Sequence, residues 1–219
     1  MMNPKAILLA LGSSILGQAS THADFPKPTN TQKTDLTLPT PEEAIKGMRL
    51  PGGFRVECFA SEPMIRQPIA MAFDDRNRLW VAECYTYAEA RTNFDLGLRD
   101  RIVILEDSDG DGRADVFETV ADDWGINGNY HEYAFGTRHD KNGDIWVVLC
   151  LTGSGGADDK SPFRGWCMRV TEEGECIPTG YGIRSPGGIG FNHLGDVFYC
   201  DNQGLWNGSS SLKHLRPGG

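Results

Sequence analysis

Residues 73–81 read FDDRNRLWV, and the same pattern returns as HDKNGDIWV at 139–147 and as FNHLGDVFY at 191–199. Each copy has a polar turn of Asp, Asn or Gly residues, followed by a strand-forming segment centred on Trp80, Trp146 or Phe198. A short polar turn between alternating apolar segments is typical of a β-hairpin. The sequence therefore predicts an all-β protein built on three equivalent hairpins.

The spacing of the three copies indicates how the hairpins are arranged. The central aromatic residues are 66 and 52 residues apart, whereas a four-stranded propeller blade takes about 40–50 residues. We therefore predict a partial six-bladed β-propeller of about three blades with inserted loops, over residues 50–219. A closed ring of six such blades needs more than about 300 residues, so the chain is expected to be the N-terminal half of a longer propeller. The alternative is an irregular β-sandwich with coincidental similarity.

Composition excludes some classes of partner. The 219 residues carry 21 Lys and Arg against 30 Asp and Glu, a net charge of −9. Nucleic acid is disfavoured as a partner, because phosphate binding needs a basic surface. A hydrophobic content of 39% is typical of a globular protein.

The first residues have the features of an export signal. Lys5 precedes a short apolar run, and small residues follow near Ala19 and Ala23. The run is shorter than a membrane span needs, so we predict a signal peptide at 1–23 and a periplasmic or cell-surface location. An N-terminal membrane anchor or a buried helix is the alternative. Residues 24–49 are predicted to be a linker with a short helix that Thr40 caps.

An acidic loop has the spacing of a calcium site. Carboxylates stand at loop positions 1, 3, 5 and 9, and a backbone carbonyl falls at position 7; the residues are Asp107, Asp109, Asp111, Asp115 and, for the carbonyl, Arg113. Ca²⁺ takes six to eight oxygen ligands, which such a loop supplies. The flanking segments are strand-like rather than helical, so we predict a structural Ca²⁺ in a β-hairpin. The alternative is a solvated turn without an ion.

Six cysteines occur without a metal or haem spacing; they are Cys58, Cys84, Cys150, Cys167, Cys176 and Cys200. No Cys-x-x-Cys or Cys-x-x-Cys-His is present, so a zinc ribbon and a c-type haem are not expected in this stretch. In an exported chain the cysteines could form three disulfides, with Cys167–Cys176 the most plausible pair. The alternative is that several are buried free thiols.

Several segments carry a resemblance to a known family. They are LPGGFRV at 50–56, RIVILED at 101–107, RSPGGIGF at 184–191 and DNQG at 201–204. Together they resemble the membrane-bound dehydrogenase propeller domain of planctomycete and verrucomicrobial exported proteins. That domain is similar to the soluble glucose and sorbosone dehydrogenases that depend on pyrroloquinoline quinone (PQQ). The resemblance implies a propeller of the quinoprotein glucose dehydrogenase type.

The resemblance also implies site residues. His131 resembles the general base that acts on the sugar hydroxyl, and Arg184 resembles the residue that contacts the quinone. The turn Gln203, Gly204, Leu205 resembles the one whose carbonyls hold a cofactor-bound Ca²⁺. This sequence has Ser185 where the family has Asn, and Leu205 where the family has Pro.

The functional hypothesis that follows is an exported dehydrogenase that oxidises a sugar or alcohol with PQQ. In a longer chain its partners would be the remaining blades and a cytochrome c domain. The alternatives are a non-catalytic, calcium-stabilised propeller that binds carbohydrate or protein, and a metal-dependent lactonase. Trp124, Tyr130 and Trp206 are expected to stack on sugar under the first two hypotheses, unless they pack between blades.

Overall fold

The computed structural model describes residues 37–84, 99–125, 132–151, 161–204 and 207–219. The described chain has one short helix and eleven strands: α1 Pro41–Gly47, β1 Pro68–Phe73, β2 Leu79–Glu83, β3 Arg101–Glu106, β4 Val116–Ala121, β5 Ala134–His139, β6 Ile145–Leu149, β7 Trp166–Val170, β8 Cys176–Tyr181, β9 Pro186–Phe191, β10 Val197–Asp201 and β11 Ser211–Leu215. The predicted helix is confirmed: Thr40 and Glu43 form the reciprocal hydrogen bonds of a capping box at its N-terminus. None of the helices in the described residues is long and apolar enough to cross a membrane.

The strands form three antiparallel sheets, each in chain order. Sheet one is β1-β2-β3-β4, sheet two is β5-β6-β7-β8, and sheet three is β9-β10-β11. The repeated pattern forms the turn between the first two strands of every sheet. Trp80 pairs with Ala72 across that hairpin, and Phe198 pairs with Gly190 at the same place in sheet three. The predicted hairpins are therefore confirmed and structurally equivalent.

An aspartate closes the hairpin turn in the first two sheets. One carboxylate oxygen of Asp74 accepts hydrogen bonds from the backbone N–H groups two and four residues later, and the other accepts the indole N–H of Trp80 at 2.9 Å. Asp140 does the same in sheet two, with the indole N–H of Trp146 at 3.0 Å. Each tryptophan is thereby fixed to its own turn.

Sheet three keeps the turn with different chemistry. Asn192 accepts the same two backbone N–H groups, but its amide group donates to Asp196 at 2.9 Å. Phe198 has no N–H group on its ring, so no second acceptor is needed there. The change from Asp to Asn therefore matches the change from Trp to Phe.

The tryptophans fill the contacts between successive sheets. Trp80 packs in a cluster with the apolar residues of sheet two, and its ring meets the edge of His139 at 5.0 Å. Trp146 packs against sheet three, and its ring meets the edge of Phe191 at 6.1 Å. Phe198, by alternation along β10, lies on the face of sheet three that points away from sheet two. The third member of the series thus faces outward.

The outer face of sheet one is covered by the preceding chain. Residues 50–67 contain no strand. Phe59 and Ile65 pack on the cluster that includes Leu79 and Leu105. The carbonyl of Phe59 also accepts the N–H of Ala114 at 2.8 Å. The N-terminal segment is thereby tied to the loop between β3 and β4.

The expected Cys167–Cys176 disulfide is wrong. All six cysteines are free thiols. Cys167 belongs to the cluster that faces sheet three, whereas Cys176 packs on the cluster that faces sheet one. The two sulfurs therefore lie on opposite faces of sheet two, although their strands are joined by a tight turn. The alternative, in which buried cysteines act as small apolar residues, fits Cys84 and Cys150 as well.

Candidate functional site

Buried polar groups collect at one end of the sheets, which we call the polar end. Seven of the nine buried polar or charged residues in the described segments lie where second strands end and where first and third strands begin. They are Arg66, Glu83, Asp100, Glu132, Arg164, Asp201 and Asn207. Buried charge is costly unless it is paired. Its concentration at one end therefore marks this end as the candidate site.

In sheet three, a buried carboxylate organises the polar end. Asp201 is the last residue of β10, and one of its oxygens accepts the backbone N–H of Ser185 at 2.8 Å. The other accepts the N–H of Arg184 at 3.4 Å and pairs with Lys213 Nζ at 2.9 Å. The Asp201 side chain thus joins the start of β9 to β11.

Sheet one contains the same arrangement. Glu83 is the last residue of β2, and its carboxylate accepts the backbone N–H of Arg66 at 2.6 Å and pairs with Arg101 of β3. In both sheets an Arg-x-Pro sequence leads into the first strand, at 66–68 and at 184–186, and its proline is the first residue of that strand. Sequence reasoning missed the two carboxylates. The signal available was an acidic residue at the end of an otherwise apolar strand.

Sheet two has Leu149 at the corresponding position and a different polar link. Arg164 precedes β7 and donates to the carbonyl of Gly125 at 2.6 Å and to Asp100 at 3.4 Å. Both charged side chains are fully buried. Because Asp100 precedes β3, this ion pair joins sheet one to sheet two.

Arg184 and the turn after β10 lie in direct contact. The Arg184 side chain passes over Gly204 so closely that a Cβ at Gly204 would overlap its Nε, Cδ and Cζ atoms. Gly204 is held by reciprocal backbone hydrogen bonds with Asn207, and the N–H of Gln203 donates to Ser210 at 3.4 Å. Gln203 itself is exposed. Arg184 therefore lies beside a hydrogen-bonded turn with an exposed residue.

The guanidinium of Arg184 differs from the other arginines of the polar end. Arg184 as a whole is half-buried, and its guanidinium makes no hydrogen bond or ion pair with any residue that the structure describes. Arg101 and Arg164 pair with carboxylates, and Arg66 donates from its Nε to the carbonyl of Pro63 at 3.3 Å. An unpaired guanidinium presents several N–H donors to an anion.

A buried and unreactive thiol, that of Cys150, lies beside Ser185, the residue that follows Arg184. The sulfur of Cys150 lies 3.8 Å from the hydroxyl oxygen of Ser185. Burial raises the pKa of Cys150 to about 11, although its hydrogen bond with Ser185 acts in the opposite direction. The thiol therefore stays protonated at neutral pH and is no nucleophile.

Some predicted residues lie outside the described part of the chain. His131 and Leu205 do, so the general base and the third residue of the calcium turn stay predictions. Tyr130 and Trp206 do as well. Trp124 is described and has no exposed surface, so it is not a platform for sugar, and the alternative that it packs between the sheets is confirmed. It packs in the cluster between sheets one and two.

The acidic loop connects β3 to β4, as expected for a strand–loop–strand arrangement. Carboxylate oxygens of Asp107, Asp109 and Asp111 lie within 4.8 Å of one another. Asp115 is not part of that group, because its carboxylate accepts the N–H of Ser108 at 2.9 Å and the hydroxyl at 2.6 Å. The same hydrogen bonds from Ser108 lower the pKa of Asp115. Three of the four predicted side-chain ligands thus converge.

The loop is remote from the polar end. β3 begins beside Glu83 with Arg101 and ends at Glu106, so the whole length of the strand separates the loop from Arg101. Asp107 also accepts backbone N–H groups from Gly110 and Gly112, at 2.7 and 2.9 Å. A cation in this loop would lie away from the polar end.

Comparisons with known proteins agree with this architecture. The model of a domain of unknown function, DUF7133, matches residues 40–176, and the chain belongs to that family. No curated protein matches the chain. The fold is similar to that of the PQQ-bound aldose sugar dehydrogenase from Streptomyces coelicolor, with a TM-score of 0.53 and 16% identity over 73% of this chain and 50% of that one. A glucose dehydrogenase is similar with a TM-score of 0.50 and 18% identity, over 70% of this chain and 52% of that one.

These similarities show the class of fold. The chain is nearly all-β, with the propeller-like fold of the PQQ-dependent sugar dehydrogenases. It spans about half the length of the two solved structures.

Proposed function

We propose that this chain is the N-terminal part of an exported, quinoprotein-like dehydrogenase propeller that oxidises a sugar or an alcohol. In this proposal PQQ binds at the polar end, beside Arg184 and the Gln203–Gly204 turn. The observation that carries it is the unpaired guanidinium of Arg184 lying over Gly204. The fold it shares with a PQQ-bound aldose sugar dehydrogenase supports it.

The residues present fit such a cofactor in part. PQQ is a tricarboxylate with an o-quinone, and a guanidinium is the side chain best suited to bind a carboxylate or a quinone oxygen. The guanidinium of Arg184 is unpaired among the described residues and lies over Gly204. The carbonyl of Gly204 already accepts the N–H of Asn207, so a Ca²⁺ there would compete with that hydrogen bond. Leu205, the third residue of the proposed Ca²⁺ turn, is assigned to that turn from the sequence alone.

The roles of the protein groups follow from their chemistry. When it is bound, PQQ supplies an electrophile that accepts a hydride from the substrate carbon. Arg184 would hold the cofactor and stabilise negative charge on its quinone oxygen. His131, as a neutral imidazole, would accept the proton of the substrate hydroxyl. Lys213 does not take part directly, because Asp201 holds it.

The alternative function is a calcium-stabilised propeller that binds carbohydrate or protein without catalysis. One observation favours it. Lys213 and Arg164 at the polar end are already paired with carboxylates of the protein. Arg184 would therefore have to balance a cofactor with three carboxylates without help from these two cations. Under this alternative Arg184 binds another anion or an acidic partner.

The wider context is also part of the proposal. Export to the periplasm or the cell surface is supported by the signal-like residues 1–23. Further blades would pack on the outward face of sheet three, where Leu212 is 69% exposed next to the aromatic ring of Phe198. We also propose that the chain is related to the membrane-bound dehydrogenase propellers and that a cytochrome c domain in a longer chain accepts the electrons.

The test of the proposed function is direct. Added to the protein with Ca²⁺, PQQ should bind with a shift in its absorbance and should support reduction of a dye that depends on an aldose or an alcohol. PQQ binding without any dye reduction over a panel of sugars and alcohols would favour the non-catalytic alternative. No binding of PQQ at tens of micromolar would contradict the proposal, and hydrolysis of a lactone that a chelator abolishes would replace it with the hydrolase hypothesis.

The acidic loop makes a separate prediction about stability. We propose that Ca²⁺ binds Asp107, Asp109 and Asp111, with Arg113 offering its carbonyl and Asp115 completing the set after it releases Ser108. A cation present at a hundred times its Kd stabilises the folded state by about 2.7 kcal/mol. At this chain length that raises the unfolding midpoint by about 5–10 °C.

Calorimetry with and without Ca²⁺ measures that shift. The variant Asp109→Asn should remove most of it. The matched control Asp75→Asn changes an exposed carboxylate in a different turn and should leave the shift intact. Equal midpoints with Ca²⁺ and with a chelator would show that the loop is a turn without an ion.

A further inference from the structure

We propose that Asp201, paired with Lys213, is a positioning residue that fixes Arg184 for its contact with an anionic ligand. The inference rests on the proposed function, because that function gives Arg184 its ligand. The side chain of Asp201 has no exposed surface. It receives three donors, of which two are the backbone N–H groups of Arg184 and Ser185 and the third is Lys213.

The geometry explains why this carboxylate sets the position of the guanidinium. Asp201 ends β10, and Gly204 follows it by three residues in the turn over which Arg184 lies. The carbonyl of Ser185 accepts the N–H of Asn202 at 3.0 Å, which is a second link between the same two segments. The backbone of Arg184 is therefore held against the turn, and only the side chain beyond Cβ remains to be directed.

The buried carboxylate of Asp201 keeps the two backbone N–H groups in place, because water cannot reach it to replace them as hydrogen-bond donors. Breaking a buried charge pair leaves an uncompensated charge, which is strongly destabilising. The segment at Arg184 must therefore keep both N–H groups on Asp201 in the folded protein. Lys213 balances the charge, and it lies 5.9 Å from the centre of the Tyr199 ring.

Sheet one provides an internal comparison. Glu83 accepts the N–H of Arg66 as Asp201 accepts that of Arg184, but Arg66 is buried and uses its side chain on the carbonyl of Pro63. In sheet one the hydrogen bond to Glu83 therefore holds an arginine whose side chain is buried in the protein. In sheet three it presents an arginine whose guanidinium has no partner among the described residues. The same hydrogen bond from backbone to carboxylate thus holds a buried arginine in sheet one and an arginine with an unpaired guanidinium in sheet three.

The test is the variant Asp201→Asn in the full chain. The asparagine side chain keeps one acceptor oxygen and replaces the other with an NH2 donor, so it can accept from Ser185 or from Arg184 and Lys213, but not from both. We expect the amide of Arg184, of Ser185 or of both to exchange with solvent at least about tenfold faster and the affinity for PQQ to fall about tenfold. The control Asp140→Asn alters a carboxylate with similar hydrogen bonds at the opposite end of sheet two. It should change neither measurement at sheet three.

A double variant separates positioning from general stability. If Asp201 acts through Arg184, then Asp201→Asn added to Arg184→Met should cause no further loss of PQQ affinity. Lys213→Arg keeps both backbone hydrogen bonds and the charge pair with Asp201 and should therefore leave exchange at the same two amides unchanged, which provides a second folded variant. Additive losses in the double variant would overturn the proposal.

Two further outcomes are distinguishable. Unchanged exchange at Arg184 and Ser185 in the folded Asp201→Asn variant, or faster exchange spread evenly over sheet three, would overturn the positioning role. If the wild-type chain binds no PQQ while exchange rises only at those two amides, the proposed function fails and the role of Asp201 in holding Arg184 stands.

Discussion

Replacing Gly204 with alanine should weaken PQQ binding on the order of thirtyfold or more, while the protein keeps its fold. The added Cβ would overlap the Nε, Cδ and Cζ atoms of Arg184. Those atoms belong to a flexible side chain, so the guanidinium can move away instead of the backbone. The backbone at Gly204 is also outside the left-handed region, so alanine adopts it without strain.

The loss of affinity follows from the geometry of a charged contact. Truncating or displacing one partner of a buried hydrogen-bonded charge pair costs about 2–5 kcal/mol. A guanidinium that is moved off the turn can no longer reach a carboxylate or quinone oxygen placed beside Gln203. Titration of PQQ with Ca²⁺, followed by absorbance or calorimetry, measures the effect.

A glycine in the same loop gives the matched control. A Cβ added at Gly208 would have no other atom within 4 Å, and the φ angle of Gly208 is not in the left-handed region. Gly208→Ala should therefore bind PQQ like the wild type. The variant Arg184→Met should reproduce the loss seen with Gly204→Ala. If Gly204→Ala binds PQQ as tightly as Gly208→Ala, Arg184 does not contact the cofactor from its position over the turn.

The hairpins were predictable because their information is local. The turn of Asp74 is fixed by hydrogen bonds within six residues, and the apolar alternation that follows decides which side of the strand is buried. The same reasoning locates the acidic loop between β3 and β4. The hydrogen bonds of a turn and the alternation of a strand both depend only on residues that are neighbours in the sequence.

The polar end was predictable only in part, because it depends on which strands meet. Arg184 and Gly204 came from a family resemblance, and sheet three brings them together across twenty residues of sequence. The link from Asp201 to Lys213 needs the pairing of β10 with β11, which no local pattern contains.

The error over Cys167 and Cys176 has the same origin. A tight turn suggested that they meet, but Val170 pairs with Cys176, while Cys167 pairs with Gly180 beyond an irregularity in the register. The face on which each sulfur lies depends on that register. Cys176 lies opposite Val170, three residues from Cys167, and this register rules out a disulfide between the two cysteines.

Replacing Trp146 with alanine should cost about 3–5 kcal/mol of unfolding free energy, whereas Phe198→Ala should cost about 1 kcal/mol. The two residues occupy the same position in successive hairpins. Trp146 is 4% exposed and fills the contact between sheets two and three, so its removal leaves a cavity. Phe198 lies on the outward face of sheet three, stacked on His214 at 4.8 Å, and its removal leaves a surface that water can fill.

Urea unfolding followed by circular dichroism measures both costs. A loss of about 3–5 kcal/mol is a large share of the roughly 5–15 kcal/mol that holds a typical domain together, so the Trp146→Ala variant should unfold at a far lower urea concentration. The conservative variant Trp146→Phe should lose about 1 kcal/mol, because it keeps an aromatic ring and removes the N–H donated to Asp140.

Sheet three itself suggests how to recover that loss. Adding Asp140→Asn to Trp146→Phe reproduces the pair formed by Asn192 and Phe198, and Asp144 stands where Asp196 accepts the amide in sheet three. Burial and the nearby charge of Asp140 both raise the pKa of Asp144, so neutralising Asp140 also removes a repulsion. The double variant should therefore be more stable than Trp146→Phe alone. Equal costs for Trp146→Ala and Phe198→Ala would instead mean that the outward face of sheet three is covered in solution, and light scattering would then reveal association of the chain.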